Sequence, residues 1–421
     1  MLSRATGRIR AGLLHPAIGV PHAKTGISRM KPGTILQTRS RSFLSPPFLL
    51  DEYLPRYQLL TAQQEAKKRS AAYAHLSACN LCPRLCNVNR FEKRGTCLIG
   101  ADVVVNTIAP HFGEEPSIQG HNGWVSRHLG RRVARDSSDD AGANAELSLS
   151  RSGSVFFSGC NLRCVFCQNH DISHQKNGFH LSPEELGEWL LKLQEVGNVH
   201  NINFVTPEHV VPQVALAILH AKQQGLKVPI IYNSSSFDSL ESIELMDGLV
   251  DIYLADFKVW NPETSKRLLK ADNYANVAME SIKAMHNQVG DLCFTADGIA
   301  KKGVLLRHLV MPGYEEEGKQ IVRWLAENVS KDLYCHIMEQ YHPRAHVGKK
   351  RRTPSGRAQD IASQTVEPGG LPADEKAKAQ VRYAEINRAV KLEEVDSVKK
   401  AAEESGLWRL LDAAEHGGFN I

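Results

Sequence analysis

The chain has 421 residues, with 51 Lys and Arg against 46 Asp and Glu, a formal charge of +5. Eight of the basic residues (Arg4, Arg8, Arg10, Lys24, Arg29, Lys31, Arg39 and Arg41) precede the first acid, Asp51, so the rest holds 43 basic against 46 acidic side chains and charge gives no case for a nucleic-acid partner. No apolar run approaches the roughly 18 residues of a membrane span, which argues against a membrane partner, and seven of the nine cysteines fall in two groups, a pattern of metal ligands rather than of a disulfide framework.

Residues 1–48 are Arg-rich, contain Ser and no acid, and are broken by Gly and Pro. This is the composition of a mitochondrial presequence, and His15-Pro16 interrupts the apolar stretch that a secretory signal needs. Arg41-Ser42-Phe43-Leu44-Ser45 resembles a matrix-protease cleavage neighbourhood and predicts a mature end near residue 44. The expectation is the mitochondrial matrix; a disordered basic tail on a cytoplasmic protein is the other reading.

Residues 49–130 read as an N-terminal arm. A helix is predicted over Thr61–Ser77 and a short β-branched run at Val103–Ala109. Between them lie Cys79, Cys82, Cys86 and Cys97, four thiolates that close around zinc or hold a second iron–sulfur cluster. The plainer reading is a structural staple that orders the arm. Residues 131–152 are polar and low in aromatics, and are predicted to be a disordered insertion.

A regular alternation occupies residues 153–344. Strands are predicted at Ser154–Ser158, Asn201–Thr206, Pro229–Ser234, Asp251–Phe257, Val304–Met311 and Leu333–Met338. Helical patterns at Pro183–Val196, Pro207–Gln224, Ser239–Asp247, Tyr274–Val289 and Glu316–Val329 separate them. Six such units predict an α/β fold with a parallel sheet, either a partial barrel or a doubly wound sheet. In the fourth strand Ile252, Leu254, Asp256 and Lys258 share a face that is apolar early and charged late, as at the chemical rim of a barrel; an internal Asp–Lys ion pair reads equally well. Residues 345–378 form a second low-complexity insertion, and residues 379–421 hold a closing helix over Ala379–Ser405.

The strongest motif is Cys160-x3-Cys164-x2-Cys167, placed just after the first of these strands. A [4Fe–4S] cluster normally takes four cysteines, so three leave one iron open for chemistry. A three-cysteine zinc site or unrelated thiols are the alternatives. His170, three residues on, reads as a surface residue or as one near the cluster, and His308 as packing on the face opposite Arg307. Cys293 and Cys335 read as small apolar residues.

This motif, set after the first strand of a six-fold β/α pattern, resembles the radical S-adenosylmethionine (SAM) superfamily. The resemblance implies a partial (β/α)6 TIM-like barrel of the radical SAM type with a cysteine-rich N-terminal arm, a [4Fe–4S] cluster on Cys160, Cys164 and Cys167, and SAM chelated by the open iron. It narrows to relatives of the pyruvate formate-lyase activating enzyme. Asp256-Phe-Lys258 is similar to that group's D-x-K, and Arg307-His-Leu-Val-Met-Pro312-Gly313 to its R-x-x-V-x-P-G. An uncharacterised branch of activase-like iron–sulfur proteins is similar also in Cys79-x2-Cys82-Pro-Arg-x-Cys86, Gly113-Glu-Glu-Pro, Asn201-Ile-Asn-Phe-Val-Thr-Pro207 and Met338-Glu-Gln-Tyr.

Cofactor-binding roles implied by the resemblance fall on Asn233, Asp256, Lys258, Arg307 and Thr206; Arg307 also reads as an internal ion-pair partner. The sequence departs from the family where many members carry Gly-Gly-Glu for the cofactor amino group. That place reads Val205-Thr206-Pro207-Glu208, and Glu208 serves equally well to cap a helix. The implied activity is reductive cleavage of SAM to a 5′-deoxyadenosyl radical that abstracts hydrogen, with glycyl-radical activation of a protein as one outcome. A flavodoxin- or ferredoxin-like electron donor is the implied partner. Modification of a small metabolite or residue is a second reading, and a non-catalytic iron–sulfur electron carrier is a third from another class.

Overall fold

The structure is a computed structural model that describes residues 47–120, 151–175, 177–350 and 381–411. The predicted presequence up to residue 46 and most of both predicted insertions (121–150 and 351–380) lie outside the described residues.

Ten strands form one sheet: β1 Val103–His111, β2 Ser152–Phe157, β3 Phe179–Leu181, β4 Asn201–Val205, β5 Ile230–Ser234, β6 Ile252–Asp256, β7 Cys293–Phe294, β8 Ala300–Leu309, β9 Tyr334–Met338 and β10 Arg409–Leu410. The helices are α1 Ala62–Ser77, α2 Pro116–Gln119, α3 His170–Ser173, α4 Pro183–Glu195, α5 Val211–Gln223, α6 Leu240–Met246, α7 Tyr274–Val289, α8 Glu315–Asn328 and α9 Leu392–Glu404. Strands β2, β4, β5, β6, β8 and β9 lie side by side in chain order and parallel, with helices between them. β10 extends the sheet in parallel beyond β9, whereas beyond β2 lies β1, antiparallel to it, and then β3, antiparallel to β1. The two edges are not joined, so this is the unclosed, TIM-like partial barrel expected from the sequence.

Local chemistry sets the helix starts. Ser182 caps α4, accepting from Glu185 N–H while Glu185 accepts from Ser182 N–H, with Pro183 in the first helical position. Helix α5 is apolar around most of its girth because the sheet lies on one side of it and α1 and α4 pack on others.

Two apolar layers result. The larger fills the space between sheet and helices. The smaller lies inside the curve of the sheet, where Ile231, Ile252, Leu254 and Leu305 meet Phe294, Tyr334 and Ile118 from α2. Each fully buried Ile or Leu contributes roughly 1.5–3 kcal/mol, so this inner layer is a packed floor with the polar site above it.

Three elements differ from expectation. The closing helix begins at Leu392, because Tyr383 turns left-handed (φ 55°) and the chain passes through a 3-10 turn at Ala384–Ile386. Glu394 in the first turn of α9 then accepts from Gly313 N–H (2.8 Å), docking the helix on the Pro312-Gly313 turn. Phe48 belongs to the folded body: its ring lies 3.8 Å under the Arg409 guanidinium, and Phe294 N–H donates to its carbonyl. Residues 345–350 are ordered against the body, with Gly348 N–H donating to Arg382 O (3.0 Å).

Candidate active site

The three-cysteine loop leaves the C-terminal end of β2. Gly159 turns it with φ 83°, and a Cβ there would lie 2.7 Å from the Cys97 carbonyl oxygen. Loop backbone is held by Arg163 N–H to Leu269 O (3.2 Å) and Val165 N–H to Leu268 O (2.8 Å). Leu162 N–H points at Cys160 Sγ (3.3 Å), and Ser173 Oγ stands 3.2 Å from Cys167 Sγ. All three cysteines are free thiols, as are the other six. Burial pushes the Cys160 thiol up to about 11 and the Cys164 thiol upward as well, with Lys258 opposing both. A cationic centre is therefore what would make thiolates here, which suits the loop to iron.

Beside the loop, the inward faces of five parallel strands make a polar belt. Asn203 of β4, Asn233 of β5, Asp256 of β6, Arg307 of β8 and His336 of β9 all contribute, with Asp256 opposite Arg307 and Arg307 opposite His336 in register. Arg307 is its hub: Nε lies 2.7 Å from Asp256, Nη2 2.6 Å from Asn233 Oδ1, and Nη1 3.4 Å from Glu114 and 3.9 Å from Glu115. Lys258 Nζ reaches the other Asp256 oxygen at 2.7 Å. Glu114 and Glu115 arrive from the turn between β1 and α2; Asn203 Nδ2 donates to Glu114 (2.8 Å) and His336 Nδ1 lies 2.9 Å from Glu115.

These neighbours divide the carboxylates. Burial would raise Asp256, but Arg307 and Lys258 outweigh it and hold the group below its ordinary value. Glu115 follows the same balance, lowered by Arg307 and His336 against burial. For Glu114 burial wins, helped by the negative charges of Glu115 and Asp256, and its carboxyl is pushed up to about 7. Ser154 Oγ, Asn203 Oδ1 and Glu115 Oε2 are buried polar atoms with no hydrogen-bond partner among the described residues. Native interiors seldom leave such atoms unpaired, so the belt has polar capacity suited to a polar ligand.

The motif thus opens a parallel α/β sheet and sits next to a half-buried belt of polar and charged side chains. Residues 154–325 match the family model described as "Radical SAM superfamily". This segment is a radical SAM domain. The superfamily implies a [4Fe–4S] cluster, SAM, and enzymatic reductive cleavage of the latter. The chain is also 26% identical over 342 residues to an uncharacterized protein of Methanocaldococcus jannaschii, covering 79% of this chain and 77% of that protein.

The radical SAM domain brings Asn233, Asp256, Lys258 and Arg307 into one connected group. Thr206 sits at the end of β4 with φ 55°, a left-handed conformation uncommon for a β-branched residue, and its N–H donates to Asn233 O (2.7 Å). Glu208 does not reach the belt. It is buried beside Tyr232 and Asp238 and accepts from Ser239 N–H (3.1 Å) and Ser242 Oγ–H (2.8 Å) at the start of α6, a later helix, and not at the start of α5, the next one in the chain. His308 packs under α8, with Nδ1 2.7 Å from Phe257 O.

Cys79, Cys82, Cys86 and Cys97 line one small cavity together with Arg84, Arg90 and His209. Thr96 N–H donates to Cys86 Sγ (3.3 Å) and Arg90 to Cys97 Sγ (3.5 Å). The arm is fastened to the three-cysteine loop by Arg84 to Asn161 O (2.8 Å) and Arg163 to Thr96 O (3.0 Å).

Sequence reasoning gave no role to Glu114, Glu115, Asn203 or His336. The available signal was the paired acids of Gly113-Glu-Glu-Pro116, isolated between a strand and a proline-led helix. His170 is also more than a surface residue, since its half-buried ring packs on His174 and His346.

Proposed function

We propose that this chain is a radical SAM enzyme whose catalytic [4Fe–4S] cluster is held by Cys160, Cys164 and Cys167, with SAM bound over Thr206, Asn233, Asp256, Lys258 and Arg307. The observation that carries the proposal is the closeness of Lys258 to the free thiols of Cys160 and Cys164, with Asp256 joining Lys258 to Arg307. Cys160, Cys164 and Cys167 would hold the cluster, which would supply the electron for reductive cleavage of SAM at its sulfonium. Lys258 and Arg307 receive the carboxylate of SAM, and Asp256, bridging the two, fixes their orientation. Asn233 and Thr206 offer polar contacts to the rest of the cofactor.

The finer reading, activation of a protein by formation of a glycyl radical, is supported by the likeness of Asp256-Phe-Lys258 and Arg307 to Gly313 to the activating enzymes. A small metabolite or a modified residue is the second reading. It is favoured by Glu114 and Glu115, which enter the belt from the β1–α2 turn and offer carboxyl groups to a substrate inside the barrel. The oxygen sensitivity of glycyl radicals also weighs against the first reading in a mitochondrion. We place the protein in the mitochondrial matrix, with its mature end near residue 44, served by a flavodoxin- or ferredoxin-like donor.

The four-cysteine arm is proposed to hold a second centre, zinc or iron–sulfur, close to the first. Anaerobic reconstitution tests these assignments. Four irons per chain should depend on Cys160, Cys164 and Cys167, and SAM should shift the electron paramagnetic signal of the reduced cluster. Iron content in Cys164→Ala equal to that of the wild type would remove the ligand assignment.

A further inference from the structure

The turn that follows Cys167 gathers three imidazoles that the radical SAM chemistry does not use. His170 and His174 stand four residues apart, at the start and the C-cap of α3, and so share one face. His346 comes from a distant part of the chain and is held there by its own N–H, which donates to Val165 O of the cysteine loop (2.9 Å). One ring nitrogen from each of the three lies within 4.8 Å of the other two. The rings touch, with centroids 4.8 Å (His170 and His174), 5.2 Å (His170 and His346) and 5.8 Å (His174 and His346) apart. Neither the His174 nor the His346 ring has a hydrogen-bonding partner among the described residues. The Asp171 carboxylate stands 3.3 Å from His170 Nδ1.

Aromatic packing accounts for rings in contact, but not for three nitrogen-bearing rings from two chain segments turning ligand atoms toward one point. Imidazoles on one zinc ion, with bonds of about 2.0–2.1 Å, have nitrogens roughly 3.3 Å apart, within reach of small side-chain rotations. We propose that His170, His174 and His346 form a site for one first-row divalent cation, zinc foremost, with a remaining position for water or a ligand. Such an ion would fasten the segment around His346 to the loop that carries Cys160, Cys164 and Cys167. The proposal goes beyond the proposed reaction and does not rest on it.

The test is a cobalt titration of the full chain after anaerobic reconstitution, when the cysteines are already loaded, followed by displacement with zinc. One equivalent should bind with visible ligand-field bands of nitrogen and oxygen ligation and without thiolate charge-transfer bands. His346→Ala and His174→Ala should each bind at least ~100-fold more weakly, since loss even of outer-shell partners costs about 10–100-fold. Iron content should be unchanged in both variants. No bound cobalt in the wild type, equal binding in both variants, or thiolate bands would overturn the site. A parallel loss of iron in both variants would also overturn it, by making the histidines part of the cluster's own support. None of these readouts depends on cleavage of SAM.

Discussion

Tyr232 has one hydroxyl proton and two carboxyl neighbours, Glu208 at 3.0 Å and Asp238 at 2.8 Å. Burial, reinforced by the charge of Asp238, raises Glu208 well above the usual carboxyl range, and burial raises Asp238 as well, so the pair favours holding a proton. Glu208→Gln preserves the acceptor for Ser239 and Ser242 and should leave chemical unfolding at pH 7 within about 1 kcal/mol of wild type. Glu208→Ala strands those donors and should cost about 1–3 kcal/mol. Equal losses in both variants would contradict the raised value of Glu208. Glu114 gives a pH signature. Its folded value near 7 lies above the ordinary value of about 4.3, so its contribution to stability is full below pH ~4 and is lost as pH rises through about 7. Denaturation between pH 5 and 8 should therefore show Glu114→Gln gaining on wild type as pH rises; parallel curves would contradict the raised value.

At the scale of elements, the two cysteine groups behave as one unit because their loops meet at Gly159. Gly159→Ala would set a methyl group 2.7 Å from the Cys97 carbonyl oxygen in a left-handed backbone, although it removes no ligand. Metal content should fall at both cysteine groups in this variant; full loading would mean that the arm and loop are independent. The six parallel strands and most helices are legible in the sequence because buried runs alternate with amphipathic ones. β3, β7 and β10 are not, since strands of two or three residues carry no period. Asp256 and Lys258 are legible from strand alternation, and Arg307 from the resemblance of its motif. Glu114 and Glu115 are not, because only the tertiary fold turns the segment after β1 into the barrel. The same holds for His346, which is distant in sequence from His170 and close in space.

At the scale of the whole molecule, the sheet serves as a frame. An apolar floor closes one end, the charged belt stands above it, and the cysteine loop borders the belt. The basic excess of the full sequence lies in its first 41 residues, so the body that carries this site is mildly acidic. No helix among the described residues is long and apolar enough to cross a membrane. The central claim is reductive cleavage of SAM at Cys160, Cys164 and Cys167. The most direct measurement is 5′-deoxyadenosine formed by the anaerobically reconstituted, reduced protein supplied with SAM. The expected result is 5′-deoxyadenosine with an equal amount of methionine in wild type and neither in Cys164→Ala. A fully loaded, reduced protein that neither binds SAM nor releases 5′-deoxyadenosine would contradict the assignment.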